Sequence, residues 1–214
     1  MISACIFDLD GVIVDTAKYH YLAWKRLADE LGVHFTEVEN ERLKGVSRMR
    51  SLEIILELGN INISELAKHE LAEKKNSWFV EFILSMKPEE IFPGVKSLLD
   101  NMRDTGYKVA LASSSKNAPT VIQLLGIGHE FDAIVDGTMI KNSKPDPEIF
   151  LLAAAKLKEP PSQCVVFEDA EAGVEAARLA GMRCVGIGST HQLGKADIVI
   201  PRTGDFNLST LKSW

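Results

Sequence analysis

Carboxylates stand where apolar runs end. The stretch FDLDGVIVDT, Phe7 to Thr16, sets Asp8 and Asp10 two residues apart just after the run Ala4–Phe7, with Asp15 close behind. The run Cys164–Phe167 ends in Glu168 and Asp169. A third run, Lys108–Ala112, ends in Ser113, Ser114, Ser115, Lys116 and Asn117, and Lys144 sits beside Pro145 in NSKPDPEIF. Residues i and i+2 of an extended chain project to one side, so Asp8 and Asp10 can converge on a point. Like charges that close require a cation or a shared proton. A hard divalent cation with oxygen ligands, such as Mg²⁺, meets that need. Metal and lysine for charge, hydroxyls for hydrogen bonds and a carboxylate nucleophile together suit a phosphoryl group.

Each piece alone has an ordinary explanation. Acidic residues at strand ends are often solvated or favoured by the dipole of the next helix. Ser113–Asn117 reads equally as a plain loop and Lys144 as a surface cation. The ordinary explanation weakens because all four features occur at strand ends or nearby loops, in an order that lets them converge.

The elements that must position these residues alternate along the chain. Short apolar runs lie at Ala4–Phe7, Lys108–Ala112, Ala133–Val135, Cys164–Phe167, Cys184–Ile187 and Ile198–Ile200. Helical stripes separate most of them: Val95, Leu98, Leu99 and Met102, stopped by Gly106; Ile149, Leu152, Ala153 and Leu157, with Asp146 as expected N-cap and Pro147 as first helical residue; and Val174, Ala177 and Ala180, closed by Gly181. Buried strands alternating with helices predict right-handed βαβ units and a Rossmann-like α/β core with a parallel sheet. In such sheets ligands bind outside the carboxyl ends of the strands, where Asp8 and Asp10 lie.

One segment breaks the alternation. From Thr16 to about Lys87 no strand is evident, while Trp24, Leu27, Ala28 and Leu31, then Leu52, Ile55 and Leu56, then Ile63–Leu84 read as helix. The expectation is an α/β core of residues 1–14 and 88–214 carrying an inserted α-helical cap domain of residues 15–87. The two connections, near Val14–Thr16 and Pro88–Pro93, can act as a hinge.

Composition bounds the function. The chain has 214 residues, 46% hydrophobic and 25% charged, enough for a substantial core. A net charge of −6 argues against nucleic acid or an anionic membrane as partner. It leaves a small anionic substrate open, because such a substrate reads local charge. Cys5, Cys164 and Cys184 lie in apolar runs without CxxC spacing, which predicts reduced buried thiols and a cytoplasmic protein. No apolar stretch approaches membrane-spanning length, and Asp8 and Asp10 arrive too early for a signal peptide.

DLDGVIVDT, the serine after KVALA, the lysine of SKPDPEIF and FEDAEAG resemble the four motifs of the haloacid dehalogenase superfamily. The resemblance implies Asp8 as nucleophile forming an aspartyl-phosphate, and Asp10 as general acid/base with its backbone carbonyl on Mg²⁺. It implies Ser113 and Lys144 holding the transferring phosphate, and Glu168 and Asp169 binding or positioning the metal. An inserted helical cap also matches a subgroup of that superfamily. DTAKYHYLAWK (Asp15 to Lys25), LKGVSRMRSL (Leu43 to Leu52), KKN (Lys74 to Asn76) and ASSSKN (Ala112 to Asn117) resemble more narrowly the β-phosphoglucomutase family.

In that family the histidine of the first stretch, here His20, closes over the general acid/base and couples cap closure to proton transfer. The arginine of GVSR, here Arg48, takes the phosphate that is not being transferred, joined by Ser115, Lys116 and Asn117. Lys75 contacts the sugar. The same resemblance assigns Trp24, Lys25, Gly45, Val46, Ser51 and Ser114 to the substrate surroundings. Ser114 stands where alanine is expected, a change that can alter sugar contacts. By itself Trp24 at helical spacing reads equally as core packing.

The implied activity interconverts β-glucose 1-phosphate and glucose 6-phosphate, with Mg²⁺ and β-glucose 1,6-bisphosphate as priming donor, in a monomer acting on a small sugar phosphate. Two alternatives stand beside it. One is a Mg²⁺-dependent sugar-phosphate phosphatase of the same superfamily. The other is a phosphosugar-binding module without catalysis, which would not need both Asp8 and Asp10. The isomer of the Lys144–Pro145 bond stays open, X–Pro being the linkage where cis is accessible.

Overall fold

The computed structural model describes residues 1–43 and 47–214. Among the described residues six strands, β1 (Ala4–Phe7), β2 (Lys108–Ala112), β3 (Ala133–Val135), β4 (Cys164–Glu168), β5 (Arg183–Ile187) and β6 (Ile198–Ile200), form one sheet in the order β3-β2-β1-β4-β5-β6. Every neighbouring pair is parallel. The chain builds outward from β1 to one edge and then returns to extend the other, so the order reverses between β1 and β4. That reversal opens a crevice at the carboxyl ends of those two strands. The register sets Phe7 beside Phe167, so Asp8 and Glu168 leave adjacent strands at one level.

The helices are α1 (Ala17–Glu30), α2 (Glu37–Glu41), α3 (Arg48–Leu58), α4 (Glu65–Ile83), α5 (Val95–Asp104), α6 (Ala118–Leu125), α7 (Glu148–Leu157), α8 (Glu171–Leu179), α9 (Thr190–Leu193) and α10 (Ser209–Ser213). By contacts the chain divides into two compact units. Met1–Asp15 joins Lys87–Trp214, and Thr16–Met86 stands by itself, each boundary one residue from the expected positions.

In the first unit β1 and β4 are buried along their whole length, as strands covered on both faces must be. Ala4, Ile6, Cys164 and Val166 pack with Ile149, Phe150, Ala153 and Ala154 of α7 and Val174, Ala176 and Ala177 of α8. The three cysteines are free and buried. The start of α7 differs by one residue from expectation. Pro147 occupies the cap position and the helix begins at Glu148, whose backbone N–H donates to Asp146 Oδ1 at 2.9 Å. The aspartate still satisfies an orphan donor of the first turn, from one residue further out.

The second unit is helical, with α1 and α3 both packed on α4. Its helix starts are set by side chains. Thr36 and Glu39 form a capping box at α2, Ser47 accepts from Arg50 N at α3, and Ser64 accepts from Ala67 N at α4. Trp24, Leu27 and Ala28 of α1 and Ala72, Trp78 and Phe79 of α4 are buried. Among the described residues no helix is long and apolar enough to cross a membrane.

Candidate active site

At the crevice between β1 and β4, Asp8, Glu168 and Asp169 offer carboxylate oxygens that all lie within 4.8 Å of one another. Asp8 and Glu168 are buried. The Lys144 ammonium donates to Asp8 Oδ1 at 2.5 Å and to Glu168 Oε2 at 2.7 Å, and it lies 4.9 Å from the centre of the Phe150 ring. Four side chains from three places in the chain thus meet where the strand order reverses. The Lys144–Pro145 peptide bond is cis.

β1 ends at Phe7, so Asp8 and Asp10 stand on the segment beyond the strand rather than on alternate residues within it. The turn there is closed by Leu9 O, which accepts from Ile13 N at 2.9 Å and Val14 N at 3.2 Å. Gly11 turns at φ +74, and a Cβ there would fall 1.9 Å from Asp169 Oδ2. Gly173, in the first turn of α8, is equally constrained: a Cβ would fall 2.0 Å from the Glu168 carboxyl carbon. Two glycines therefore make the space in which these carboxylates sit, the reason the runs FDLDG and FEDAEAG need glycine where they have it.

The electrostatics follow from the crowding. Burial would depress Lys144, but the carboxylates of Asp8 and Glu168 outweigh it and hold its pKa above the ordinary lysine value. Glu168 is raised to about 7, by burial first and by Asp8, against the pull of Lys144. Asp169 is raised to about 8, by desolvation and then by Glu168, Asp8 and Asp10. Three neighbouring carboxylates add to that push on a residue that keeps some solvent access. Three acidic groups facing one lysine leave excess negative charge that a divalent cation would neutralise. The residues fit such an ion, with hard oxygen donors, a common centre and glycine-made space.

The loop after β2 is wound on its own hydroxyls. Buried Ser113 accepts at Oγ from Ser115 N at 3.1 Å, and Ser115 Oγ accepts from Asn117 N at 3.2 Å. Gly137 N donates to Ser115 O at 3.3 Å, and a Cβ on Gly137 would lie 2.2 Å from Ser114 O. Ser114 and Lys116 are exposed, and Ser115 and Asn117 half-buried.

A second cluster lies wholly in the helical unit. The Lys75 ammonium, 2% exposed, meets His20 Nδ1 at 2.8 Å and lies over the rings of Trp24 (4.5 Å) and Phe79 (5.0 Å). With Lys75 charged, that contact requires His20 to carry its proton on Nε2. His20 also stacks on Phe79, centroids 4.0 Å apart. Burial first and Arg48 second lower Lys75 to about 7. Burial, Lys75 and Arg48 together hold His20 well below the usual histidine range. Arg48 donates from Nη1 to Glu73 Oε1 at 2.7 Å and from Nη2 to Asn76 Oδ1 at 2.9 Å. Arg48 and Lys75 thus bring two positive charges to one neutral imidazole, with Arg48 paired to Glu73.

Trp24 lies in the core of that unit and beneath Lys75, so packing and site contact coexist in one residue. Lys25, half-buried, pairs with Asp29 one turn along α1. Ser51 is buried in α3. Gly45 and Val46 lie outside the described residues. Glu73, Phe79, Gly137 and Gly173 were not singled out from sequence. Phe79 lay within the segment Ile63–Leu84 read as helix but without a signal of its own, and the partnership of Arg48 with Glu73 had none.

A family model for haloacid dehalogenase-like hydrolases matches residues 2–181. The chain belongs to the haloacid dehalogenase-like hydrolase family. Within it, the chain is 46% identical over 210 residues to a β-phosphoglucomutase of Bacillus subtilis, covering 97% of this chain and 93% of that one. The solved structure of a β-phosphoglucomutase from Clostridium difficile superimposes with a TM-score of 0.92 at 45% identity, over 100% of this chain and 96% of that chain. A phosphorylated carbohydrates phosphatase of Thermotoga maritima is 37% identical, over 90% and 88% of the two chains. The haloacid dehalogenase-like family thus brings mutases and phosphatases close to this sequence together.

Proposed function

We propose that the protein is a phosphomutase that interconverts β-glucose 1-phosphate and glucose 6-phosphate through an aspartyl-phosphate on Asp8. The observation that carries the reading is the pair of cationic side chains Arg48 and Lys75, grouped around the His20 ring, present in addition to the carboxylate site. A mutase handles a bisphosphate and needs two anion sites; a phosphatase needs only one. Similarity to β-phosphoglucomutases over nearly the whole chain supports the same choice.

With Asp8 phosphorylated, the sugar 6-hydroxyl oxygen attacks phosphorus, Asp10 accepts the hydroxyl proton, and the Asp8 oxygen leaves as carboxylate. The product is β-glucose 1,6-bisphosphate. After the bisphosphate turns over, Asp8 attacks the 1-phosphate, and Asp10 returns the proton to the departing C1 oxygen. Glucose 6-phosphate leaves and Asp8 is phosphorylated again. Lys144 and Ser113 hold the transferring group. Arg48 holds the other phosphate, its planar fork matching two oxygens, with Ser115, Lys116 and Asn117 in support. Lys75 and Trp24 face the sugar. Bound by Asp8, Asp169 and the Asp10 carbonyl, with Glu168 positioning, Mg²⁺ would supply the charge that lets an anionic carboxylate approach an anionic phosphate. β-Glucose 1,6-bisphosphate serves as the priming donor.

Incubation with β-glucose 1-phosphate, Mg²⁺ and a trace of the 1,6-bisphosphate tests the reading by its product. Glucose 6-phosphate is expected. Free phosphate as the main product would replace the mutase by a sugar-phosphate phosphatase, and no product at all would leave only a binding module.

A further inference from the structure

Far along the chain, Thr203 has a buried side chain whose partner lies in the turn after β1. It is 1% exposed, and its hydroxyl donates to Val12 O at 2.6 Å across 191 residues of sequence. Val12 stands two residues beyond Asp10, inside the turn closed by Leu9 O and by the Gly11 N to Val14 O bond of 2.9 Å. Thr203 opens a single 3-10 turn, Thr203–Asp205.

A Cβ on Gly204 would lie 2.2 Å from Pro93 O, and one on Gly94, itself at φ +82, would lie 2.9 Å from the Gly204 Cα. The segment that returns to the sheet therefore packs backbone to backbone on this turn. It also pairs with the outgoing one: Phe92 N donates to Ile13 O at 2.9 Å, and Ile91 bridges Val14. Phe206 closes the arrangement, its ring edge-on to Phe167 at 4.9 Å, while Phe167 stacks on Phe7 at 4.3 Å. Phe7 and Phe167 directly precede Asp8 and Glu168.

We infer that Thr203 is a positioning residue for Asp10: its hydroxyl fixes the Val12 carbonyl and so the orientation of the turn from which Asp10 projects. A group that must reach a transferring proton tolerates little displacement, about 1 Å of misplacement costing on the order of a hundredfold in rate. The bond from Phe92 N to Ile13 O holds the turn from outside at one carbonyl, about which it can still pivot. The Thr203 hydroxyl is a second outside anchor, one residue nearer Asp10, and Gly94 and Gly204 let it approach. The inference rests on the proposed role of Asp10, and the two can fail separately.

The experiment compares Thr203→Val, which keeps shape and removes the donor, with Thr203→Ser, which keeps the donor, in the full-length protein. Leu211→Ala, a buried change in α10, serves as a stability control. Wild type is first tested for a phospho-enzyme by mass spectrometry; its absence would remove the proposed function. Given a phospho-enzyme, Thr203→Val should lower kcat by roughly tenfold or more. KM for β-glucose 1-phosphate and Mg²⁺ affinity measured by calorimetry should stay within about twofold, and Thr203→Ser should retain kcat within the same range. Leu211→Ala should lower Tm without lowering kcat. A Thr203→Val enzyme with wild-type kcat, or a Thr203→Ser enzyme as slow as Thr203→Val, would overturn the inference. Should Thr203→Val not fold, Thr203→Ala against Thr203→Ser carries the comparison, and equal kcat in that pair would be equally fatal.

Discussion

The two units each crowd like charges together, with opposite signs. In the first, Asp8, Glu168 and Asp169 face a single lysine, and two of the three carboxylates are pushed up to about 7 and 8. In the second, buried Lys75 has a histidine ring and two aromatic faces for company and is pushed down to about 7. Burial drives both displacements, yet the remedies differ: the first cluster is relieved by a cation, the second by an anion. A site strained in this way in the free protein has binding energy in reserve for the missing counter-charge. That is what a phosphoryl-transfer enzyme needs at the reacting group and what a mutase needs again at the remote phosphate.

Replacing the nucleophile breaks the comparison at its strongest point. Asp8→Asn should abolish turnover and the phospho-enzyme while leaving the fold intact, because an amide has no anionic oxygen to attack phosphorus. A phosphoryl adduct on Asp8→Asn, detected by mass spectrometry, would remove Asp8 from that role. Asp10→Asn comes next, with a loss on the order of 10²–10⁴-fold in kcat for a general acid/base. Calorimetry should find Mg²⁺ affinity nearly unchanged, since the backbone carbonyl is the proposed ligand. A collapse of metal affinity would make the side chain the ligand instead.

A smaller effect sharpens the second half of the comparison. Lys75 has a lowered folded pKa, about 7 against an unfolded value of 10.5. Between those values the unfolded chain binds more protons than the folded one, so Lys75 should make stability rise with pH from about 7 toward 10.5. Below about 7 both states are charged and its contribution is flat. The slope should amount to at most a few kcal/mol across the window. Urea unfolding of wild type and Lys75→Met over that pH range should show it only in wild type. Identical slopes would mean that folding does not lower the pKa of Lys75.

The two regions also differ in how much of each the sequence discloses. Six apolar runs became the six strands, Cys164–Phe167 and Cys184–Ile187 each lengthened by one residue in the structure. Strand ends in a parallel sheet share one edge, so Asp8, Lys144, Glu168 and Asp169 could be brought together from local pattern alone. The helical cluster has no such rule. His20 and Lys75 lie 55 residues apart, and their meeting depends on how α1 packs on α4. The sequence marks the α4 segment as helix but shows neither that Lys75 lies on its buried face nor which residue of α1 it meets. The resemblance supplied His20, Arg48 and Lys75, whereas Glu73 came only with coordinates. The glycine-made spaces at Gly137 and Gly173 were equally silent, because a missing side chain has meaning only beside the atoms it admits.

The measurement that most directly tests the account is kcat/KM of Arg48→Ala on two phosphoryl substrates. β-Glucose 1-phosphate has a phosphate for the cationic cluster to hold; acetyl phosphate, used as a donor to Asp8, has no second anion. The account predicts a loss of roughly 2–4 kcal/mol in transition-state stabilisation on the sugar phosphate, with acetyl phosphate use near that of wild type. Equal losses on both would make Arg48 a structural residue, and no loss on the sugar phosphate would contradict the second anion site on which the mutase reading stands.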